Sequence, residues 1–237
     1  MIKNKGFLCF SPPVMIATMA VEVAMFLYVT YRYRLNHVTR IISAILILLA
    51  VFQLAEFNVC GGRQAELFMH IGFVAITLLP ALGLHLIYKI AKKKNFIIIT
   101  SGYVIAFVFS LALGLQKTSF LSHVCGGNYS IFLLADKVGG LYFIYYYAFL
   151  FFGIGISLYY SHTSDQKIRR ALLLQVFGYL SFLLPTGIVN TIHPSTINGI
   201  PSIMCGFAVT YAVILVFGIT PAVTSKSKKN IHRKTAA

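Results

Sequence analysis

This sequence predicts an all-α membrane protein, a bundle of seven transmembrane helices. Mean hydropathy is +0.82, and charged residues make up 11% of the chain, whereas soluble domains carry roughly 25%. Several apolar runs reach the roughly 20 residues that an α-helix needs to cross a bilayer. The basic residues gather in short segments between those runs, which is typical of cytoplasmic loops.

The first three spans are separated by a basic segment and a glycine turn. The first span begins after Ser11, because Ser caps helices and the Pro residues that follow are tolerated in a first turn. A strong basic flank on its C-terminal side favours a retained helix over a signal peptide. Gly61 and Gly62 permit a sharp turn after the second span. The predicted ranges are Pro13–Tyr31, Ile41–Phe57 and Glu66–Ile90.

Four further spans follow, of which the fifth is the least regular. Residues 131–140 carry Asp136 and Lys137 before a strongly apolar, aromatic stretch. We predict one helix across both parts, tilted or overhanging at its outer end. The predicted ranges are Phe96–Leu115, Ile131–Tyr160, Ala171–Ile192 and Pro201–Pro221, in a single domain of residues 1–221 followed by a basic tail, 222–237.

Four basic segments set the predicted topology. They occupy residues 32–40, 89–94, 167–170 and 226–234, and they alternate with outer loops of almost no charge. Seven spans with the N-terminus outside and the C-terminus in the cytoplasm place all four on one side. We therefore predict a multi-pass protein of the cell (inner) membrane, surrounded by the lipid bilayer. Because these segments account for the net charge of +15, the charge does not indicate nucleic-acid binding.

Three parts of the chain resemble the N-terminal seven-helix region of many bacterial and archaeal histidine kinases. The similar segments are FQLAEFNVCGGRQAELFMHIGFVAITLLPALGLHLIYKI, RRALLLQ with the following GYLSFLLPTGIVN, and GIPSIMCGFAV. The family's acidic residue late in helix two matches Glu56, and its Leu-Pro pair in helix three matches Leu79 and Pro80. The resemblance implies a membrane sensor region. No kinase module follows the last span, so we expect signalling in trans to a separate cytoplasmic kinase or regulator.

All four cysteines, Cys9, Cys60, Cys125 and Cys205, fall on or near the predicted outer face, where oxidising conditions favour disulfides. Four cysteines allow three connectivities. We favour a Cys60–Cys125 disulfide, because both residues lie in Val-Cys-Gly-Gly sequences of outer loops that should be near each other. The alternative is that all four are free thiols that act as small hydrophobic side chains. The sequence has no closely spaced pair of Cys or His residues, so it does not indicate a zinc site.

Two polar residues inside the predicted spans are candidates for ligand binding. Glu22 lies near the middle of the first span, where a charge costs about 2.5–3.5 kcal/mol, so it should face the bundle or water. It is either a site sensitive to protons or cations, or a neutral side chain bonded to a neighbouring helix. Asn190 lies after Pro185, whose kink would free backbone carbonyls for a ligand cradle.

A second group of candidates surrounds the turn between the second and third helices. Helical spacing places Glu66 and His70 on one side of the third helix, and polar faces of membrane helices point inward. Together with Glu56, Arg63 and Asp136, they would line an outward-facing pocket for a small extracellular ligand. The alternative is an interfacial ion-pair network that only orients the loops.

Two functions fit these features. The first is a sensor or receptor-like protein that binds a small ligand between the outer halves of its helices. The second is a small secondary transporter that uses Glu22 and Glu56 for proton or cation coupling, although the odd number of spans and the lack of a clear repeat disfavour it. The sequence contains no kinase module, catalytic constellation, metal motif or cofactor motif, so it does not predict an enzyme.

Overall fold

The computed structural model describes residues 12–61, 64–115, 120–125, 130–134 and 136–224. Seven of its helices are long and apolar enough to cross a membrane, which confirms the predicted seven-helix bundle. The elements are α1 (Pro12–Arg32), α2 (His37–Cys60), α3 (Ala65–Ile90), α4 (Phe96–Leu115), β1 (Phe120–Cys125), β2 (Ser130–Leu134), α5 (Asp136–His162), α6 (Gln166–Ile192), a 3-10 helix (Pro194–Gly199) and α7 (Ile200–Val213). A π-helical turn (Ile214–Ile219) and α8 (Thr220–Val223) continue α7, so that the seventh span covers Ile200–Val223.

The fifth span begins later than the sequence suggested. Residues 131–134 were expected to start its helix, but they belong to β2, which pairs antiparallel with β1. The register places Cys125 opposite Ser130 and Phe120 opposite Leu134, with an irregularity between Phe120 and Ser122. Two short apolar runs around a Gly-Gly-Asn sequence are a hairpin signal, and pairing satisfies backbone groups that lie outside a helix.

Helix α2 begins four residues before its predicted start because a capping box stabilises it there. The Thr39 amide donates to the Asn36 side chain at 3.0 Å, and the Asn36 amide donates to the Thr39 hydroxyl at 2.8 Å. This reciprocal pair satisfies two amide groups that the first turn of a helix leaves without intrahelical partners.

Helices α2, α3 and α7 form the centre of the bundle. More than half of the residues in their apolar windows are buried, compared with 22% for α1 and 17% for α4. Helix α3 packs against α2, α4, α5 and α6, while α7 packs against α1, α2 and α6. The outward faces of α1 and α4 are therefore left to contact lipid.

The two ends of the bundle differ in charge. We call one the basic end: it holds the connections 33–36, 91–95 and 163–165 together with Thr224. The other, the hairpin end, holds Gly61, the β1–β2 hairpin and the 3-10 helix. The described basic residues at or beside the basic end are Arg32, Arg34, Arg40, Lys89, Lys92, Lys93, Lys94, Lys167, Arg169 and Arg170. That segregation fits the predicted topology, whose sidedness stays a prediction; tail residues 225–237 lie outside the described chain.

Glycines let four helices meet around two buried tyrosines. Tyr179 of α6 fills the space beside Gly83 of α3 and Gly153 of α5. Tyr211 of α7 packs on Gly178, where a Cβ would lie only 2.5 Å from the ring. The absence of side chains at these glycines brings the helix backbones close together, as is common between membrane helices.

Candidate functional site

Glu56 is the best defined polar residue of the bundle interior. It lies in the last turns of α2 at the hairpin end and is 2% exposed. Its carboxyl group hydrogen-bonds the side chain of Ser202 in the first turn of α7, and Ser202 is also buried. The carboxyl oxygen Oε1 has no hydrogen-bond partner among the described residues. Glu56 therefore joins α2 to α7 and keeps one acceptor available.

Glu22 is buried in the middle of α1, as expected from its position in the first span. It is the eleventh of 21 residues in this helix and has no exposed surface. Neither of its carboxyl oxygens has a hydrogen-bond partner within the described chain. Polar groups buried in this way cost free energy until a donor, a proton or a cation satisfies them.

Cys205 of α7 interacts electrostatically with both carboxyl groups, those of Glu56 and Glu22. It follows Ser202 by three residues, so both side chains lie on the same side of α7. Its thiol is free and buried, and both Glu56 and Glu22 are close enough to interact with it electrostatically. Both carboxyl groups, one near the hairpin end and the other deeper in the bundle, therefore act electrostatically on the same residue of α7.

Two small internal cavities adjoin this stretch of α7. Both are lined by Tyr146, Met204 and Cys205. The volume open to the centre of a water molecule is about 10 Å³ in one and about 30 Å³ in the other. A single water needs roughly 10–15 Å³ by this measure. Both cavities are lined almost entirely by apolar surface and are too small for an organic ligand.

The described members of the expected pocket near the α2–α3 turn face different surroundings. Glu56 is directed towards α7, whereas Glu66 is exposed in the first turn of α3. The Nδ1 atom of His70 contacts the Leu113 carbonyl oxygen of α4. Helical spacing within α3 gave no information on the direction of Glu56, because Glu56 belongs to α2 and hydrogen-bonds Ser202 of α7. Arg63 and the side chain of Asp136 lie outside the described residues.

Asn190 has a local partner at the hairpin end. Its side-chain oxygen accepts a hydrogen bond from the Thr196 hydroxyl at 2.7 Å. Thr196 belongs to the 3-10 helix and is buried. The contact ties the last turn of α6 to the segment that leads into α7, so Asn190 shapes a connection in this structure.

The cysteine pairing stays a prediction. Cys60 ends α2, and the backbone of Cys125 ends β1, both at the hairpin end. The side chain of Cys125 and the whole of Cys9 lie outside the described part of the chain. Cys205 is buried within the helix bundle.

The sequence did not predict a second polar cluster, which is formed by Gln175, Tyr179 and Tyr211. Gln175 of α6 donates through Nε2 to the Tyr211 hydroxyl at 2.6 Å. The Tyr179 hydroxyl shares hydrogen bonds with both of these side chains, and all three are buried. An amide inside an apolar span is itself a signal, because such groups point into the bundle. The tyrosines gave no signal, since tyrosines in membrane proteins are also common at the lipid–water interface.

The two carboxyl groups of the Glu22–Glu56 region can take up or release a proton. The described polar groups of this region include the two carboxyl groups, the Ser202 hydroxyl and the Cys205 thiol. Among the residues that the structure describes, no three His, Cys, Asp or Glu side chains gather in a way that could hold a metal ion. No family model and no curated protein matches the chain.

Proposed function

We propose that this multi-pass membrane protein is a sensor or receptor-like protein that signals in trans to a separate cytoplasmic partner. The observation that carries the proposal is Glu22, a fully buried carboxyl group in mid-span with both oxygens unpartnered among the described residues. Intramembrane carboxyl groups are costly and mark functional positions. A helix bundle that keeps one without a partner has a position at which the binding of a proton or cation changes its energy.

A path for the response runs along the seventh span. Glu56 contacts Ser202 at its start, and the π-helical turn Ile214–Ile219 lies near its end at the basic side of the bundle. There the Thr220 hydroxyl donates to the Leu215 carbonyl at 2.7 Å. Pro221 has no amide hydrogen, and π turns are frequent at functional sites of helices. A shift of α7 against α1 and α2 would carry a change at the carboxyl groups to the basic end.

The resemblance to sensor regions of histidine kinases supports the same function. It implies a cytoplasmic kinase or regulator as the partner and a small extracellular molecule as an input. In this proposal the cell membrane is the location, with the basic end in the cytoplasm. A Cys60–Cys125 disulfide would tie the end of α2, four residues after Glu56, to the β1–β2 hairpin.

A secondary transporter is the second candidate, and the same carboxyl groups support it. Glu56 lies near the hairpin end, Glu22 lies deeper, and both interact electrostatically with Cys205. Carboxyl groups at successive depths are what a proton or cation pathway requires. The two candidates differ in whether anything crosses the membrane.

One reconstituted system distinguishes them. Keto amino acids at Lys93 and Thr163, both exposed at the basic end, carry spin labels without using native thiols. We compare the label distances in wild type, Glu22→Gln and Glu56→Gln, with Glu66→Gln as a control at an exposed carboxyl group. The glutamines imitate the protonated state.

A sensor gives distance distributions that change in Glu22→Gln and Glu56→Gln but not in Glu66→Gln, together with no proton flux into the vesicles. A transporter gives a proton or cation flux that Glu22→Gln abolishes. Identical distances in all four proteins, without any flux, would refute both functions.

A further inference from the structure

The first turns of α6 form a recess at the basic end of the bundle. It is lined by Gln166, Arg169, Arg170, Leu173 and Leu174 and is shallow and wide open, with a volume of about 480 Å³. These residues follow the spacing i, i+3, i+4, i+7 and i+8, which places them on one continuous face of a helix. The face changes from polar to apolar along the helix axis, from the basic end towards the bundle centre.

Its two arginines are exposed and have no ionic partner in the described part of the chain. A guanidinium group binds phosphate oxygens through two parallel hydrogen bonds, so adjacent arginines can hold one phosphate from two sides. Lys167 adds a third positive charge in the same turn. The recess therefore offers concentrated positive charge at the edge of the membrane-spanning region.

Its two leucines extend the surface in the direction of the bilayer. Leu173 is 41% exposed. Leu174 is packed inwards against Gly218 of the π-helical turn, where a Cβ would lie 3.1 Å from Cδ1 of Leu174. The close approach at Gly218 fixes Leu174 as one wall and leaves Leu173 facing outwards. An apolar surface directly beyond two arginines matches a molecule with an anionic head and a hydrocarbon chain.

We propose that this recess binds an anionic phospholipid, with its phosphate between Arg169 and Arg170 and its acyl chain along Leu173. The position fits the occupant, because the arginines lie at the border of the span and the leucines one turn deeper. Basic recesses on the cytoplasmic side of membrane helices are suited to such headgroups. This site is separate from the buried carboxyl groups and does not depend on the function proposed for them.

The test counts lipid molecules retained by the purified full chain in native mass spectrometry. Phosphatidylglycerol and phosphatidylcholine are supplied as equal mixtures, and the Arg169→Gln/Arg170→Gln variant is compared with Lys92→Gln/Lys93→Gln. The control removes the same charge at the same end of the bundle from two exposed lysines. A third variant, Leu173→Asn, tests the acyl contact while keeping both arginines.

We expect wild type and the lysine variant to keep the preference for phosphatidylglycerol within about twofold of each other. Loss of two charge-assisted contacts to one phosphate corresponds to roughly 100-fold weaker binding, so the arginine variant should lose nearly all of that preference. Leu173→Asn should weaken the retention of both lipids. Because all these side chains are exposed, the variants should fold, which circular dichroism checks; the single arginine variants replace the double one if it does not.

Three results would overturn the proposal. Equal losses in the arginine and lysine variants would show general surface charge rather than a site. An unchanged preference in the arginine variant would place the bound lipid elsewhere. Displacement of phosphatidylglycerol by millimolar inorganic phosphate would show a simple anion site without a lipid contact.

Discussion

Adding one methyl group at Gly83 tests how closely α3, α5, α6 and α7 pack around Tyr179. A Cβ on Gly83 would overlap the hydroxyl oxygen of Tyr179, while the ring atom Cζ would lie 3.3 Å away. The same hydroxyl shares hydrogen bonds with Gln175 and Tyr211. Gly83→Ala therefore has to displace a hydroxyl group that Gln175 and Tyr211 hold in place.

The magnitudes follow from these contacts. Overpacking of a well-packed interior costs about 1–3 kcal/mol, and separating the Tyr179 hydroxyl from its partners adds to the loss. Tyr179→Phe alone removes the hydrogen bonds at a cost of about 1 kcal/mol. In the double variant the overlapping oxygen is gone, and the new methyl group meets only the ring at a tight but tolerable distance. We expect the double variant to be more stable than the sum of the single losses predicts, by about 1–2 kcal/mol.

Unfolding in mixed micelles with increasing dodecyl sulfate, followed by circular dichroism, measures all four proteins of this cycle. Gly155→Ala is the matched control, because a Cβ placed there would meet no side chain and no other helix within 4 Å. It should leave stability unchanged or raise it by up to about 1 kcal/mol, since Ala favours a helix over Gly. Strictly additive losses at Gly83 and Tyr179 would refute the close packing of these two residues, as would an equal loss in Gly155→Ala.

Three further predictions test other parts of the molecule. Non-reducing peptide mapping should recover a Cys60–Cys125 disulfide, and Cys125→Ser should lower stability by about 4 kcal/mol in the chain-entropy model; separate free thiols at these positions would contradict it. Asn36→Ala should cost about 1 kcal/mol through loss of the α2 cap, measured by the same unfolding assay, and no loss would mean that the cap contributes nothing. Glu56→Gln should retain more stability than Glu56→Ala, because only glutamine keeps a hydrogen-bonding group beside Ser202; equal losses would argue against that contact.

Span number was predictable because hydropathy is a local property of the sequence. Each span needs only enough apolar residues to cross the bilayer, and all seven are found in the structure. Burial of Glu22 was predictable for the same reason, because a carboxyl group in mid-span has nowhere else to be accommodated at low cost. The β1–β2 hairpin was missed even though the sequence Gly-Gly-Asn between its strands is a hairpin signal, since the apolar residues of β2 were assigned to the following helix.

The partners of the polar residues were not predictable in the same way. Glu56 and Glu66 flank one short turn, yet one is buried against Ser202 and the other is exposed. The rotations of α2 and α3 about their axes decide this difference, and each rotation depends on how the helix packs against its neighbours. No pattern within α2 contains that information.

The sequence by itself therefore determined the class of protein, the number of spans and the segregation of basic residues to one end, because each depends on the water–lipid boundary and on residues close together in the chain. Tertiary structure alone decided that Glu56 hydrogen-bonds Ser202, that Tyr179 fills the space beside Gly83, and that Leu174 packs on Gly218. These contacts join residues far apart in the chain. They are set by the shapes of facing helices, since lipid tails give apolar helix faces no strong preference for one another and close packing selects the neighbours.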